Sequence, residues 1–173
     1  MVGSKLRDKD AVAAVAILSE MCAYEKDKGR LLYDKLIDLY VQYGYYKENL
    51  ISITKKGMNG QKEIAAMMES YRNDPPKKIN GSPVVQLLDY EQRRGRNLQT
   101  GEEWDIRLPK SNVLQFILAD GSKISARPSG TEPKIKFYFS VNASLAKASD
   151  FEVVEKQLDD RIRGIIADMR LGK

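Results

Sequence analysis

From Lys134 to Val141 the chain alternates without a break. Ile135, Phe137, Phe139 and Val141 fall on one parity, and Lys134, Lys136, Tyr138 and Ser140 on the other. A period of two is the mark of a β-strand whose two faces meet different surroundings. One such strand cannot stand alone, so a sheet with a buried face and a wetted face is required. Its partners lie just upstream. Val113–Ala119 and Lys123–Arg127 flank Asp120-Gly121, a dipeptide suited to a tight hairpin.

Helical spacing surrounds these strands. Phe151, Val154, Leu158, Ile162, Ile165 and Met169 recur at intervals of three and four, and Ser149 with Glu152 reads as a capping box. Asn59 reads as the cap of a helix that turns Ile64, Met67, Met68 and Tyr71 inward, and Asn73-Asp74-Pro75-Pro76 ends it. Asn49–Thr54 and Val84–Tyr90 read as strands, with Lys55-Lys56-Gly57 as a turn. Residues 91–112, which include Arg93, Arg94, Arg96 and the lone Trp104, read as a long polar connection.

At the start, Asp8–Lys28 reads as a helix capped by Asp8 or Asp10 and closed by Gly29. Its narrow apolar stripe is Val12, Val15, Leu18 and Cys22. A second helix carries Leu32, Leu36, Leu39, Tyr40 and Tyr43 and stops at Gly44, a natural hinge. The pair is too small to form a core unaided. The expected architecture is therefore α+β: a mainly antiparallel sheet of about four to five strands with two helices on one face, preceded by a helical hairpin. The hairpin, residues 1–44, and the domain, residues 45–173, read as separate pieces.

The absence of histidine excludes Ser-His-Asp and Cys-His chemistry and nearly every zinc site. The one cysteine, Cys22, allows no internal disulfide, which suits a reducing cytoplasm; its apolar stripe predicts a buried, inert thiol. No segment reads as membrane-spanning or as a secretory leader. The net charge of +5 favours anionic partners without choosing among them.

One segment carries recognisable binding chemistry. Arg127-Pro128-Ser129-Gly130-Thr131-Glu132-Pro133-Lys134 joins two strands. Ser129 and Thr131 offer hydroxyls, and Gly130 lets backbone amides come close to a ligand. Arg127 supplies a planar fork that matches phosphate oxygens, and Lys134 adds charge. The two prolines stiffen the loop. Pro-Ser-Gly-Thr is also an ordinary turn composition, and physics alone leaves both readings open.

The longer string Arg-Pro-Ser-Gly-Thr-Glu-Pro-Lys-Ile-Lys-Phe-Tyr, Arg127–Tyr138, resembles the C-terminal motif of the alpha-D-phosphohexomutases, the phosphoglucomutases and phosphomannomutases. The resemblance extends from Asn49 to Gly172. The hairpin Asp8–Gly44 is similar to the closing helices of that family's third domain, and Arg7-Asp8-Lys9-Asp10-Ala11 to the stretch after its sugar-recognition loop.

The resemblance implies a TATA-binding-protein-like last domain. It implies that Arg127, Ser129, Gly130 and Thr131, with Lys134 beside them, hold the phosphate that is not being transferred. The parent reaction would move a phosphoryl group between the 1- and 6-hydroxyls of a hexose. The family's phosphoserine loop and its acidic Mg2+ loop have no counterpart here, so this piece is expected to be inactive alone, to carry no metal ligands and to have the missing N-terminal domains as partners. Gly101-Glu102-Glu103 superficially resembles the sugar loop but lies inside the last domain, and Asp159-Asp160 reads as a solvated face.

Other readings compete. The chain could be a free-standing basic module for nucleic acid; Arg93, Arg94 and Arg96 invite this, although a solvated loop explains them more simply. Tyr40, Tyr43, Tyr45 and Tyr46 could stack on sugars, but packing is the simpler role. An apolar hairpin face left exposed would promote dimerisation.

Overall fold

The computed structural model describes residues 9–172 apart from 56 and 58. The cap assigned to Asp8, the match at Arg7-Asp8 and the turn residue Lys56 lie outside the described residues. The chain divides into two compact units, residues 1–45 with 144–151, and residues 46–143 with 152–173.

The first unit holds helices α1, Ala11–Asp27, and α2, Leu32–Tyr43. Asp10 caps α1, its carboxylate accepting from the Ala13 amide at 3.0 Å. At the other end Gly29 takes φ +70°, and the Arg30 amide reaches back to the Glu25 carbonyl at 2.9 Å. This closure needs a left-handed residue, which glycine adopts without a Cβ penalty. Arg30 then pairs with Glu25 at 3.5 Å and with Asp38, tying α1 to α2. Tyr40 stacks on Tyr45 at 4.3 Å, and Tyr45 on Phe151 at 5.1 Å. These two tyrosines are packed, while Tyr43 and Tyr46 are exposed.

The α1 stripe departs from expectation. Val12 is 82% exposed, Val15 and Leu18 are also exposed, and Cys22 is a free, exposed thiol rather than a buried one. Two short helices bury only the strip where they touch. The apolar period predicted a face correctly but could not supply its cover.

The second unit is a sheet with helices. Its strands are β1 (Tyr45–Thr54, whose first residue belongs to the first unit), β2 (Lys78–Ile79), β3 (Ser82–Asp89), β4 (Arg94–Asn97), β5 (Glu103–Asp105), β6 (Leu114–Leu118), β7 (Lys123–Pro128) and β8 (Lys134–Ala143). Their order is β1-β8-β7-β6-β3-β4-β5, with β2 on β3. The expected class holds: α+β, with a mainly antiparallel sheet and a helical hairpin at the start. Among the described residues eight strands replace the expected four to five. The surplus consists of the short strands β2, β4 and β5.

Ile135, Phe137, Phe139 and Val141 are at 0% exposure, on the parity the alternation assigned, and Leu114 and Phe116 on β6 and Ile124 and Ala126 on β7 are equally buried. Helix α3, Gly60–Asn73, sets Ile64 and Met68 against this core, and α4, Phe151–Asp168, adds Leu158, Ile162 and Ile165. Tyr71 meets Phe116 and Phe137 edge-on at 5.6 and 6.3 Å. Each fully buried aromatic contributes about 2–3 kcal/mol through the water it sheds.

Residues 91–112 are not one irregular connection. Arg94–Asn97 and Glu103–Asp105 pair as a hairpin, Gly95 opposite Trp104. The indole lies where a Gly95 side chain would be, with a built Cβ only 2.2 Å from it. Glycine is what lets so polar a segment form a ladder. A second turn went unread: Asn80 and Gly81 take φ 50° and 75° between Ile79 and Ser82, the pattern of a two-residue hairpin. Asn59 sits at the start of α3 without a capping hydrogen bond from its side chain. Ser149 lies within a 3-10 turn, Ala148–Asp150, its hydroxyl donating to Asp150 at 3.2 Å instead of closing a capping box.

Candidate functional site

Strands β7 and β8 are neighbours in antiparallel register, with Arg127 opposite Lys136 and Pro128 opposite Ile135. The loop between them is closed from within. The Ser129 amide donates to the Lys134 carbonyl at 2.7 Å, and the Lys134 amide to the Glu132 carbonyl at 2.7 Å. The Ser129 hydroxyl oxygen accepts from the amides of Thr131 at 3.4 Å and Glu132 at 3.3 Å. This oxygen therefore orders the loop while its own O–H remains able to donate.

A hollow of about 220 Å³ opens over the loop, lined by Arg127, Pro128, Ser129, Gly130, Glu132, Lys134 and Lys136. Of the residues singled out from the sequence, it gathers Arg127, Ser129, Gly130 and Lys134. Thr131 is exposed and lies outside the lining. Lys136 was not anticipated. It sits two residues beyond Lys134 on the polar parity of β8, and only the register brings it beside Arg127.

The electrostatics favour an anion. Three cations line the hollow against one carboxylate, Glu132. Among the described residues none forms an ion pair with Arg127, Lys134 or Lys136. Like charges directly opposite across a strand pair repel, and an anion between them converts that repulsion into attraction. Gly130 has an ordinary φ, and a Cβ built there meets nothing within 4 Å. The fold does not need glycine at this point; a ligand lying against the backbone would. A neighbouring hollow of about 180 Å³ is lined by Gln61, Ile64 and Ala65 together with Pro128, Ser129 and Gly130, so the first turn of α3 approaches the same loop. Helix N-termini favour negative charge.

Most of the other candidates are occupied structurally. Arg94 pairs with Glu103 at 3.7 Å and Asp105 at 3.9 Å, and Arg93 donates to the Ile106 carbonyl at 3.3 Å. Asp159 holds Lys47 at 2.8 Å and Asp160 pairs with Arg163. Glu102 and Glu103 belong to the β4–β5 hairpin. Among the described residues no group of three or more His, Cys, Asp or Glu is arranged to hold a metal ion, and no helix is long and apolar enough to cross a membrane.

No family model matches the chain. Individual relatives do. A protein named phosphoglucomutase from Staphylococcus epidermidis is 36% identical over 157 residues, covering 91% of this chain and 28% of its own length. A phosphoglucomutase from Staphylococcus haemolyticus is 34% identical over 159 residues, 92% of this chain and 28% of that protein. One from Staphylococcus aureus is 36% identical over 157 residues, 91% of this chain and 27% of that protein. The chain thus spans little more than a quarter of the relatives it matches. Among solved structures, the open form of the exocytosis-sensitive phosphoprotein pp63/parafusin (phosphoglucomutase) from Paramecium covers 93% of this chain and 28% of its own, at 14% identity and a TM-score of 0.45.

Proposed function

We propose that this chain, a homologue of the phosphoglucomutases over nine-tenths of its length, is the C-terminal portion of a phosphohexomutase and anchors the non-transferred phosphate of a hexose phosphate. The observation that carries the reading is the hollow in which Arg127, Lys134 and Lys136 converge on the Ser129-Gly130 backbone. Arg127 presents two parallel N–H donors to phosphate oxygens, the lysines neutralise charge, and the Ser129 hydroxyl donates one more bond. Thr131, exposed beside the hollow, completes the set when the loop closes on its ligand.

A mutase that moves a phosphoryl group between the two ends of one sugar needs an anchor indifferent to which end is held. A loop that grips only phosphate meets that need. Holding the distal phosphate fixes the reacting end relative to the rest of the site, and positioning with charge neutralisation is how phosphoryl transfer is mostly catalysed. The chemistry itself, including any Mg2+, belongs to the remainder of the longer protein. The chain alone turns over nothing.

Residues 1–44 are read as the remnant of the preceding domain and residues 45–173 as the phosphate-binding domain. The exposed stripe of α1 is then a face that the missing portion covers. The whole protein is read as cytoplasmic, with glucose or mannose phosphates as its substrates. Nucleic acid is the weaker reading, because Arg94 of the Arg93–Arg96 cluster is already paired, while Arg127, Lys134 and Lys136 converge on one hollow.

The test is an amide NMR titration of the 173-residue chain with glucose 1-phosphate, glucose 6-phosphate and inorganic phosphate. Shifts are expected to concentrate between Arg127 and Lys136 with millimolar dissociation constants, about −4 kcal/mol. They are expected to disappear in Arg127→Ala and in Gly130→Ala, the second of which leaves the fold untouched. Shifts spread over the surface, or retained in both variants, would sink the assignment.

A further inference from the structure

A hollow larger than the one at the loop lies elsewhere in the second unit. It measures about 590 Å³ and lies between β1, α3 and the residues that follow α4, lined by Ile51 and Ile53, Met67 and Tyr71, and Arg170 among others. Small-molecule sites fall in the range of about 300–1,000 Å³ and combine an apolar lining with a few polar groups.

Its polar side chains are Ser52, Thr54, Lys55, Tyr71 and Arg170. No Asp or Glu lines it. Arg170 stands on its rim, and among the described residues nothing pairs with that guanidinium. Lys55 adds a second cation, itself held by Glu63 at 3.2 Å. Tyr71 is half-buried, and its hydroxyl has no hydrogen-bond partner among the described residues. The hydroxyl is not enclosed, and its O–H can donate to a ligand that enters the hollow.

We infer that this hollow is a second binding site, for a small amphipathic carboxylate whose tail lies on Ile51, Ile53 and Met67 and whose head takes the Tyr71 hydroxyl and the Arg170 guanidinium. Burial holds the Tyr71 phenol above its ordinary pKa, so it remains a donor at neutral pH. The charge pattern selects the head group: the Arg170 guanidinium, unpaired among the described residues, and a phenolic donor suit an anion and reject an amine. The site is independent of the phosphate loop and stands or falls without it.

The probe is decanoate, below its aggregation concentration, titrated into the 173-residue chain with decanol as the uncharged control. Two variants isolate the head-group contacts. Tyr71→Phe removes only the hydroxyl. Arg170→Gly removes the charge and replaces a residue at φ 54° with one that adopts that conformation without a Cβ penalty, so the backbone turn is kept. Decanoate is expected to shift the amides of Ile51, Ile53, Met67 and Leu171, to bind more tightly than decanol, and to weaken about tenfold in each variant. No shift at these amides overturns the inference. So does equal binding of acid and alcohol, or affinity unchanged in both variants.

Discussion

Arg127 and Lys136 face each other across β7 and β8 as register partners. Directly opposed like charges on one sheet face cost about 0.2–1 kcal/mol. The arrangement is useful only with an anion between them. Lys136→Gln should therefore leave the free chain as stable or slightly more stable, while weakening glucose 6-phosphate binding about tenfold. Thermal melting with and without ligand checks both halves at once: the variant's Tm should equal or exceed the parent's without phosphate and gain less when phosphate is added. A Tm lowered without ligand would show that the lysine stabilises the sheet rather than serving the hollow.

A different cation is purely structural. Arg72 on α3 donates from Nε to Asp89 at 3.0 Å, with the two side chains 8% and 7% exposed. The same guanidinium also reaches Glu69 at 2.9 Å and Asn112, and Asp89 accepts the amides of Glu91 and Gln92 at 2.9 and 3.1 Å. Removing one partner strands a buried charge. Arg72→Ala should cost about 3–5 kcal/mol, and Arg72→Ala with Asp89→Asn should cost less than the sum of the two single changes. Urea melts of the three variants measure this; strict additivity would mean the pair is not coupled.

The β4–β5 hairpin rests on one residue without a side chain. A Cβ on Gly95 would fall 2.2 Å from the Trp104 ring. Gly95→Ala should force the indole off the strand at a cost of about 1–3 kcal/mol. Trp104 is the chain's single tryptophan, so its emission should shift to the red and become more accessible to quencher. An unchanged spectrum would show that the backbone, rather than the ring, gives way.

This hairpin also shows where the sequence stops speaking. Strand β8 was legible because every inward residue from Ile135 to Val141 is apolar and every outward one polar, and burial follows that parity. Strands β4 and β5 are three or four residues of Arg, Gly, Asn, Glu and Asp around one tryptophan. Their stability comes from β3 and from the Gly95–Trp104 contact, and neither has a period. Asn80-Gly81 did carry a local turn signal that could have been read. The α1 stripe announced an apolar face, but a period says nothing about what covers it. Within the candidate site, the loop residues were visible as a contiguous string. Lys136 was hidden because it looks like any solvated position on a strand until the register sets it beside Arg127.

Tyr71 gives a pH signature to the core. Its ring packs on Phe116 and Phe137, and burial raises its pKa above the ordinary 10.0. The folded chain therefore holds the phenolic proton more firmly than the unfolded chain does. Below pH 10 both states keep it and the contribution to stability is fully present. Above pH 10 the unfolded state releases the proton first, so stability falls as pH climbs toward the folded value. Other groups titrate in the same range, and Tyr71→Phe isolates this one. Melting curves of parent and variant between pH 8 and 11, on the order of the window its ordinary pKa sets, should run parallel up to about pH 10 and then separate, the parent losing Tm faster. Curves that stay parallel throughout would mean that the phenol is solvated in the folded chain, and the hollow beside it would then hold water where a ligand's acceptor has been inferred.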